Sequence, residues 1–372
     1  MEEMYYYWLH NVEGIGRVTF RKILEYMTPK ELYECSIEKT ASFLSQKQRE
    51  KIKESKRNWD ILKNWEVLRS RGIQLYGLGE KDYPEKLSYI SDPPPVLYHK
   101  GKMEIYDKPS VAVIGARACS NYGYLAAKEL GKELAAAGVV IVSGMARGID
   151  SICQKSGLEW GGESIGVLGS GVEVCYPPEN RELFLQLQSQ GALVSENLPF
   201  TKPASGLFPL RNRIISGLAD VVVVIESREK SGTQITVDMA LEQGKEVYAM
   251  PGRITDPVSR GCNKLIKQGA GMVLSPREFV EEIVPMLKIK YQKNNFSVNS
   301  LLSREEKMVT DILEVSLKTI EEIYQEARVR DSEITLNKVM EIVLEMQMKK
   351  MVKEEGGYYG MERFISCEGF TG

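Results

Sequence analysis

Seven short apolar segments between residues 110 and 287 place the strongest constraint on how this chain can fold. Each is continuous rather than alternating, as in a strand buried on both faces, and helix-length spacers such as Tyr124–Ala137 separate them. The segments are Val111–Ile114, Val139–Val142, Ile165–Leu168, Ala192–Val194, Val221–Ile225, Val247–Met250 and Met272–Leu274. Right-handed crossovers carry the loops that follow such strands to one edge of the sheet. We therefore predict an α/β fold with a doubly wound parallel sheet and a ligand crevice at that edge.

Composition excludes several classes of protein. The 372 residues predict two or three domains, and no apolar run approaches the roughly 20 residues that span a bilayer. With 49 basic and 51 acidic residues, any site for a polyanion must be a local patch. The two histidines, His10 and His99, lie outside the glycine-rich segments, and the six cysteines have no metal-ligand spacing. We expect a cytoplasmic protein with reduced thiols, no metal and no membrane association.

Composition shifts along the chain predict four regions. Residues 1–105 form an N-terminal helical module and connector, 106–288 the core, 289–300 a polar linker, and 301–372 three helices with a terminal hairpin. The Gly14-Ile-Gly16 turn resembles half of a helix-hairpin-helix, although we favour a purely structural turn. The last region resembles a winged helix, and its acidic helices favour docking of a partner or a structural role over reading of a DNA groove.

Glycine-rich turns follow the first two predicted core strands. Gly115 allows the chain to leave its strand tightly, Ala116 follows it, and Arg117 projects over the free amides of the next helix, where it can bind a phosphate. The second turn contains Ser143, Gly144, Arg147 and Asp150. The spacing of Arg147 and Asp150 fits either a surface ion pair or a ligand contact.

Later turns repeat the pattern. After the third strand come Gly169, Gly171 and Tyr176, and Tyr176 either stacks a base or covers the sheet edge. Arg181, at the start of the next helix, is another candidate phosphate contact.

Two further segments complete the candidate site. Arg211 and Arg213 flank Asn212, and two helical positions place them about 200° apart, so both cannot point at one ligand atom. Lys230, Ser231 and Gly232 open a helix and predict an anion-binding nest. Because no turn carries a complete dinucleotide or Walker A motif, we expect no cofactor.

The order and spacing of these turns resemble the DprA (Smf) DNA-processing family. The likeness is carried by the segments Gly115–Arg117, Ser143–Asp150, Tyr176–Asn180, Phe208–Ile215, Lys230–Gly232, and Pro251-Gly252 with Asn263–Ile266. It covers the whole core and extends to the flanking modules.

The resemblance implies an extended Rossmann-like core and a non-catalytic protein that binds single-stranded DNA, protects it during natural transformation and loads RecA. It also implies a homodimer. Carried over by motif, Gly115, Arg117, Arg181, Arg211 and Asn212 would hold phosphates. Ala116 departs from the Ser or Thr common in the family, so one hydroxyl donor is missing.

Two other functions compete with this one. Phosphoribohydrolase-like enzymes share such a sheet, but their Pro-Gly-Gly-x-Gly-Thr signature and its glutamate are absent, with Ser231–Thr233 and Asp238 the nearest remnants. A transcriptional regulator that reads duplex DNA is disfavoured by the acidic helices of the last region.

Overall fold

The computed structural model describes residues 2–287, 303–313, 318–332, 334–348 and 352–361. Its contacts divide the chain into two compact units, residues 1–291 and 292–372. The predicted linker, residues 289–300, lies outside the described residues. Within the described ranges, no helix combines the length and apolar character needed to cross a membrane.

In its described residues the first unit contains nine strands and thirteen α-helices. The strands are β1 (Gln74–Gly77), β2 (Val96–Gly101), β3 (Ser110–Gly115), β4 (Val140–Ser143), β5 (Ser164–Val167), β6 (Ala192–Ser195), β7 (Val221–Ile225), β8 (Glu246–Ala249) and β9 (Gly271–Met272). The N-terminal helices are α1 (Glu3–His10), α2 (Arg17–Leu24), α3 (Pro29–Glu34), α4 (Gln46–Asn58), α5 (Ile61–Ser70) and α6 (Glu85–Ser88). The remaining helices are α7 (Asn121–Ala136), α8 (Ile149–Glu159), α9 (Arg181–Gln190), α10 (Leu207–Leu218), α11 (Gly232–Glu242), α12 (Arg260–Lys267) and α13 (Pro276–Met286).

All nine strands belong to one sheet with the order β1-β2-β6-β5-β4-β3-β7-β8-β9. The strands from β6 to β9 pair in parallel, and each of the seven predicted core strands is present. The order of connection reverses between β3 and β7, which is where ligands of such sheets bind. The predicted doubly wound, Rossmann-like α/β fold is confirmed.

Helices cover both faces of this sheet. Along β3, Val111 and Val113 pack in the core formed with α7, α8 and α13, whereas Ala112 and Ile114 pack in the core formed with α6, α10, α11 and α12. All four side chains are at most 4% exposed. Burial on alternate sides explains why the strand reads as a continuous apolar run.

The sheet contains two strands that the sequence did not indicate. β1 pairs antiparallel with β2, and β2 pairs antiparallel with β6. The segment Val96–Tyr98, which follows three prolines at positions 93–95 in the predicted connector, is therefore a strand of the sheet. Leu97 packs in the same core as Leu87 of α6, and its neighbour Tyr98 packs with Trp8 of α1. β2 therefore joins the N-terminal helices to the sheet.

The second unit has its own core. It contains α14 (Arg304–Leu313), α15 (Ile320–Arg330), α16 (Leu336–Met348) and the antiparallel strands β10 (Val352–Glu355) and β11 (Tyr358–Met361). Buried residues such as Val309, Ile323 and Val339 connect the three helices. Lys318 bridges Tyr359 of β11 through two backbone hydrogen bonds.

Candidate functional site

A cleft of about 730 Å³ opens where the strand order reverses, between the loops that follow β3 and β7. The structure brings nine of the predicted site residues to its wall: Gly115, Ala116, Arg117, Asp150, Tyr176, Arg211, Asn212, Ser231 and Gly232. Eight predicted residues do not line it: Ser143, Gly144, Arg147, Gly169, Gly171, Arg181, Arg213 and Lys230.

The turn after β3 forms one wall of the cleft. A Cβ on Gly115 would overlap the carbonyl oxygen of Ile225 in β7, so only glycine fits there. Beyond it, the Ala116 carbonyl accepts a hydrogen bond from the Ile149 amide at 3.2 Å, which fixes the turn against α8. Arg117 then projects into solvent with no carboxylate within 4 Å among the described residues. Its guanidinium is therefore available to an anion.

The N-terminus of α7, beneath this turn, is already occupied. The carboxylate of Glu226 accepts hydrogen bonds from the Ser120 amide, at 2.8 Å, and from the Ser120 hydroxyl. Ser120 in turn caps the Gly123 amide at 3.2 Å. Glu226 is buried at the end of β7 and has a positive φ of 51°. An anion held by Arg117 is therefore not bound by free amides of α7, contrary to the expectation from sequence.

Two other helices direct free N-termini at the cleft. The N-cap of α10 is Gly206, and that of α11 is Ser231, and neither makes a side-chain cap hydrogen bond. The Ser231 hydroxyl instead contacts the Ser227 hydroxyl at 2.9 Å. Because the helices have 12 and 11 residues, each N-terminus carries a partial positive charge. In α11 the Gly232 and Thr233 amides have no acceptor among the described residues, whereas in α10 the Leu207 amide donates to the Ala204 carbonyl at 3.0 Å and Pro209 has no amide, which leaves the Phe208 amide. The two termini together favour an anion in the cleft.

Arg211 is part of the cleft wall rather than a flexible ligand. It is only 4% exposed, and its Nη1 donates to the carbonyl oxygens of Gly144, at 2.8 Å, and of Val167. Burial lowers the pKa of Arg211 to about 10, while the nearby charge of Asp150 opposes that shift. Burial likewise raises the pKa of Asp150, which accepts the Gly144 amide at 3.1 Å. Arg211 thus contributes fixed positive charge to the wall.

Arg213 lies on the opposite side of α10. Its Nη1 and Nη2 donate to the two carboxylate oxygens of Glu196 at 2.8 and 2.6 Å, and its Nε donates to the Asp92 carbonyl at 2.8 Å. Both side chains of the Arg213–Glu196 pair are nearly buried, at 6% and 11% exposed. Asn212, between the two arginines, faces the cleft and accepts from Arg211 Nε at 3.3 Å. The two arginines therefore have separate roles, one in the cleft wall and one in a structural ion pair.

Three predicted cations lie beyond the cleft wall. Arg147 forms an ion pair with Glu179 and not with Asp150. Arg181 is exposed over the ring of Phe184, with 5.8 Å between the guanidinium carbon and the ring centroid. Lys230 is exposed on the loop after β7, next to the lining residue Ser231.

The supporting glycines act through packing. A Cβ on Gly144 would lie 2.6 Å from Arg211 Nη2, and one on Gly169 would lie 2.7 Å from the ring of Phe208. A Cβ on Gly171 would overlap the Leu198 carbonyl oxygen. Ser143 donates to the Val113 carbonyl at 2.6 Å and so joins β4 to β3. These residues do not line the cleft, but their packing allows the residues of its wall to approach one another.

An aromatic pair stands at the mouth of the cleft. The rings of Tyr176 and Phe208 have centroids 5.4 Å apart, both line the cleft, and Tyr176 is 38% exposed. The guanidinium carbon of Arg117 lies 5.9 Å from the Phe208 centroid. Phe208 was part of the family motif but was not among the predicted site residues; its place before the Arg-Asn-Arg segment is the signal that could have found it.

Arg228 is a second cation that sequence reasoning missed. It follows β7, lines the cleft, is exposed, and has no carboxylate partner among the described residues. No local motif distinguishes it from other surface arginines, and only the strand order places it opposite Arg117.

The Gly14-Ile-Gly16 turn of the N-terminal module is built differently. It leads into α2, whose Arg17 and Arg21 both pair with Asp92, Arg17 at 2.8 Å. These cations are therefore held by a carboxylate of the same unit.

The chemistry of the cleft is that of anion binding. Asp150 is the only carboxylate among its described lining residues, and no histidine is among them. In the described part of the chain, no cluster of three His, Cys, Asp or Glu side chains could hold a metal ion. The described cysteines, Cys35, Cys119, Cys153, Cys175 and Cys262, form no disulfide.

The chain is similar to the members of a described protein family. The family model of DNA recombination-mediator protein A matches residues 74–284. The DNA processing protein DprA of Bacillus subtilis is 42% identical over 224 residues, which cover 60% of this chain and 75% of that protein. The corresponding protein of Streptococcus pneumoniae is 40% identical over 200 residues, 54% of this chain and 71% of that protein.

Solved structures of DNA processing protein A also align with this chain. The X-ray structure of DNA processing protein A from Streptococcus pneumoniae aligns with a TM-score of 0.66 at 32% identity, covering 75% of this chain and 97% of that one. DNA processing protein A from Helicobacter pylori, studied for its single-stranded DNA binding mode, aligns with a TM-score of 0.53 at 29% identity, covering 57% of this chain and 97% of that one.

Proposed function

The chain belongs to the DNA recombination-mediator protein A family, the DprA/Smf family, and from that premise we propose that it is a non-catalytic, single-stranded DNA-binding protein. It protects incoming single strands in the cytoplasm and loads RecA recombinase on them during natural transformation. The relatives are DNA processing proteins, and the Helicobacter pylori member binds single-stranded DNA.

One observation carries the proposal: four positive features converge on the cleft where the strand order reverses. They are the uncapped N-termini of α10 and α11 and the guanidinium groups of Arg117 and Arg228, which have no carboxylate partner in the described ranges. The amides of Arg117 and Ala118 add donors, since neither has an acceptor among the described residues. This arrangement suits a phosphodiester backbone and explains how a chain of net charge −2 binds a polyanion.

The aromatic pair favours single strands over duplex. Base stacking on an exposed ring is worth about 1–3 kcal/mol per base, and it requires a base with a free face. Tyr176 and Phe208 stand where a base beside the bound phosphate would lie. In a duplex the bases are already stacked on one another, so this contribution is lost.

A nucleotide hydrolase is the competing function. Such an enzyme needs an acid and a base beside the scissile bond, but Asp150 is buried and hydrogen-bonded to the Gly144 amide. Asp238, the carboxylate nearest in sequence to the remnant Ser231–Thr233, is exposed, accepts from Gln234 at 3.0 Å and does not line the cleft. We therefore expect no release of ribose phosphate from AMP.

Tight binding calls for a second copy of the chain. A few phosphate contacts in one cleft bind weakly, whereas two linked sites on one strand multiply through effective concentration. The β9 edge of the sheet suits such an isologous contact because Met272 and Leu274 are 47% and 69% exposed there. We propose that the homodimer forms through this edge.

A binding assay with labelled oligothymidine and a duplex of the same length tests the function. We expect single-strand-selective binding that competitor single strands abolish, together with no hydrolysis of AMP. Equal affinity for duplex would favour the regulator alternative, and release of ribose phosphate would favour the enzyme.

A further inference from the structure

Positive charge continues beyond the cleft in one direction along the sheet edge. Arg228 follows β7, Arg253 follows β8, and Arg260 begins α12. All three are exposed, and none has a carboxylate within 4 Å among the described residues. Because β3, β7 and β8 are parallel neighbours about 4.8 Å apart, the loop after β8 lies about 10 Å from the turn that bears Arg117.

The other side of the cleft has fewer unpaired arginines, since in the loops after β4 and β5 and at the start of α9 only Arg181, exposed over the Phe184 ring, has no carboxylate partner among the described residues. There Arg147 is paired with Glu179, and Glu173 in the loop after β5 is paired with Lys100 at 2.7 Å. On the β8 side the loop after β7 has two acidic residues: Glu226 is buried and accepts hydrogen bonds from Ser120, and Glu229 is paired with Lys264 at 3.2 Å. Neither carboxylate pairs with Arg228, Arg253 or Arg260. Asp256 is the single carboxylate among the residues from Arg253 to Arg260. Three unpaired arginines on the β8 side against one on the other side therefore favour the β8 direction for a polyanion that leaves the cleft.

The loop after β8 is held in place rather than free. The side-chain amide of Asn263 exchanges two hydrogen bonds with the backbone of Gly252, at 2.9 and 3.1 Å. The Gly261 amide donates to the Ser227 carbonyl at 2.7 Å, and the Tyr122 hydroxyl donates to the Pro251 carbonyl at 2.8 Å. These contacts join the loop to α7, to α12 and to the loop after β7, so its surface is preorganised.

The loop presents an apolar side chain among the cations. Ile254 is 84% exposed, more than any other large apolar side chain described between residues 2 and 287. Val258 of the same loop lines the cleft, so the loop is continuous with it. Cations flanking an uncovered apolar side chain suit a single strand, which offers phosphates and unpaired bases side by side.

We propose that Arg253, Ile254 and Arg260, the β8 strip, bind the nucleotides that adjoin those in the cleft, so that the strand leaves the cleft past Arg228 toward β8. This rests on the proposed function, because the strip extends a site that must itself bind single strands. The strip predicts contacts that only oligonucleotides longer than the cleft can make.

The test compares oligothymidines of about 4 and about 16 nucleotides, the range of site sizes known for single-strand binding domains. The variant is Arg253→Ala/Arg260→Ala, and the control is Lys267→Ala, which removes an exposed cation from the other end of α12. Two lost phosphate contacts should make the salt slope for the 16-mer shallower by about 1.4 and weaken its binding about 25-fold at 0.1 M salt. The 4-mer should bind as it does to wild type.

Each other outcome overturns the proposal. An unchanged salt slope for the 16-mer would show that the DNA does not contact the β8 strip. An equal loss of affinity with Lys267→Ala would show that the effect comes from the overall charge of the protein and not from the strip. An equal loss for the 4-mer makes these arginines part of the cleft site rather than its continuation. If the wild-type protein binds neither oligonucleotide, the proposed function is refuted, and the proposal for the β8 strip, which rests on it, is refuted as well. Unchanged thermal unfolding of the variant excludes misfolding as the cause.

Discussion

Replacing Arg117 by alanine should weaken single-strand binding in a way that itself depends on salt. Two exposed cations of the cleft, Arg117 and Arg228, have no carboxylate partner among the described residues, whereas Arg211 is buried and engaged by two carbonyl oxygens. Two phosphate contacts predict a salt slope near −1.4 for an oligonucleotide that fills only the cleft, and loss of one contact halves it to about −0.7.

The affinity change follows from the same relation. At 0.1 M salt the missing contact weakens binding about fivefold, and the difference between wild type and variant disappears as salt approaches 1 M. Fluorescence anisotropy of a labelled oligothymidine across a salt series measures both quantities. All sequences should be affected alike, because phosphate contacts carry no base information.

Two control variants make the result specific. Arg117→Lys keeps the charge but loses the bidentate geometry of the guanidinium group, so it should retain the slope with weaker binding. Arg57→Ala removes an exposed arginine at the end of α4, which lies outside the sheet edge, and should bind as wild type. A slope for Arg117→Ala equal to that of wild type would refute the assignment of this cleft as the phosphate site.

Three further predictions concern stability and assembly. Burial lowers the pKa of His10 and His99 from 6.5 to about 4, so the unfolded chain binds more protons between these values and stability falls as pH drops through that window. At pH 5.5 the two histidines together should cost about 3 kcal/mol of unfolding free energy relative to pH 7.5 in urea titrations, and equal stability at both values would contradict their neutral burial. Arg213→Ala leaves Glu196 buried without its partner and should destabilise the fold by about 3–5 kcal/mol, whereas a loss below about 1 kcal/mol would show that the pair is not buried in solution. Leu274→Asp should convert dimers into monomers in sedimentation at micromolar concentration, and a wild-type monomer that still binds DNA tightly would refute the dimer account.

Much of the core was predictable because its signals are local. Continuous β-branched runs such as Val221–Ile225 form strands buried on both faces, and Gly115 is needed because β7 approaches too closely for a Cβ. The helical offset of Arg211 and Arg213 is enough to predict different directions for their side chains, and the two arginines do take separate partners. Such features depend on a few neighbouring residues.

The partners of the charged groups were not predictable, because they come from distant parts of the chain. Arg147 pairs with Glu179, which is 32 residues away, and not with Asp150, which follows three residues later in α8. Glu226 reaches Ser120 across 106 residues and occupies a helix terminus that no local motif marks as filled. Arg228 becomes a cleft residue only through the strand order. Each of these depends on tertiary placement rather than on a motif.

Amide hydrogen exchange with and without bound oligothymidine tests the central claim most directly, because it locates the strand on the protein. The account predicts slowed exchange at the turn of residues 116–118, at the Phe208 amide of α10 and at the Gly232 and Thr233 amides of α11, two helices whose N-caps make no side-chain hydrogen bond. Protection confined to the Gly14-Ile-Gly16 turn or to residues 303–361, with no change at the cleft, would contradict it.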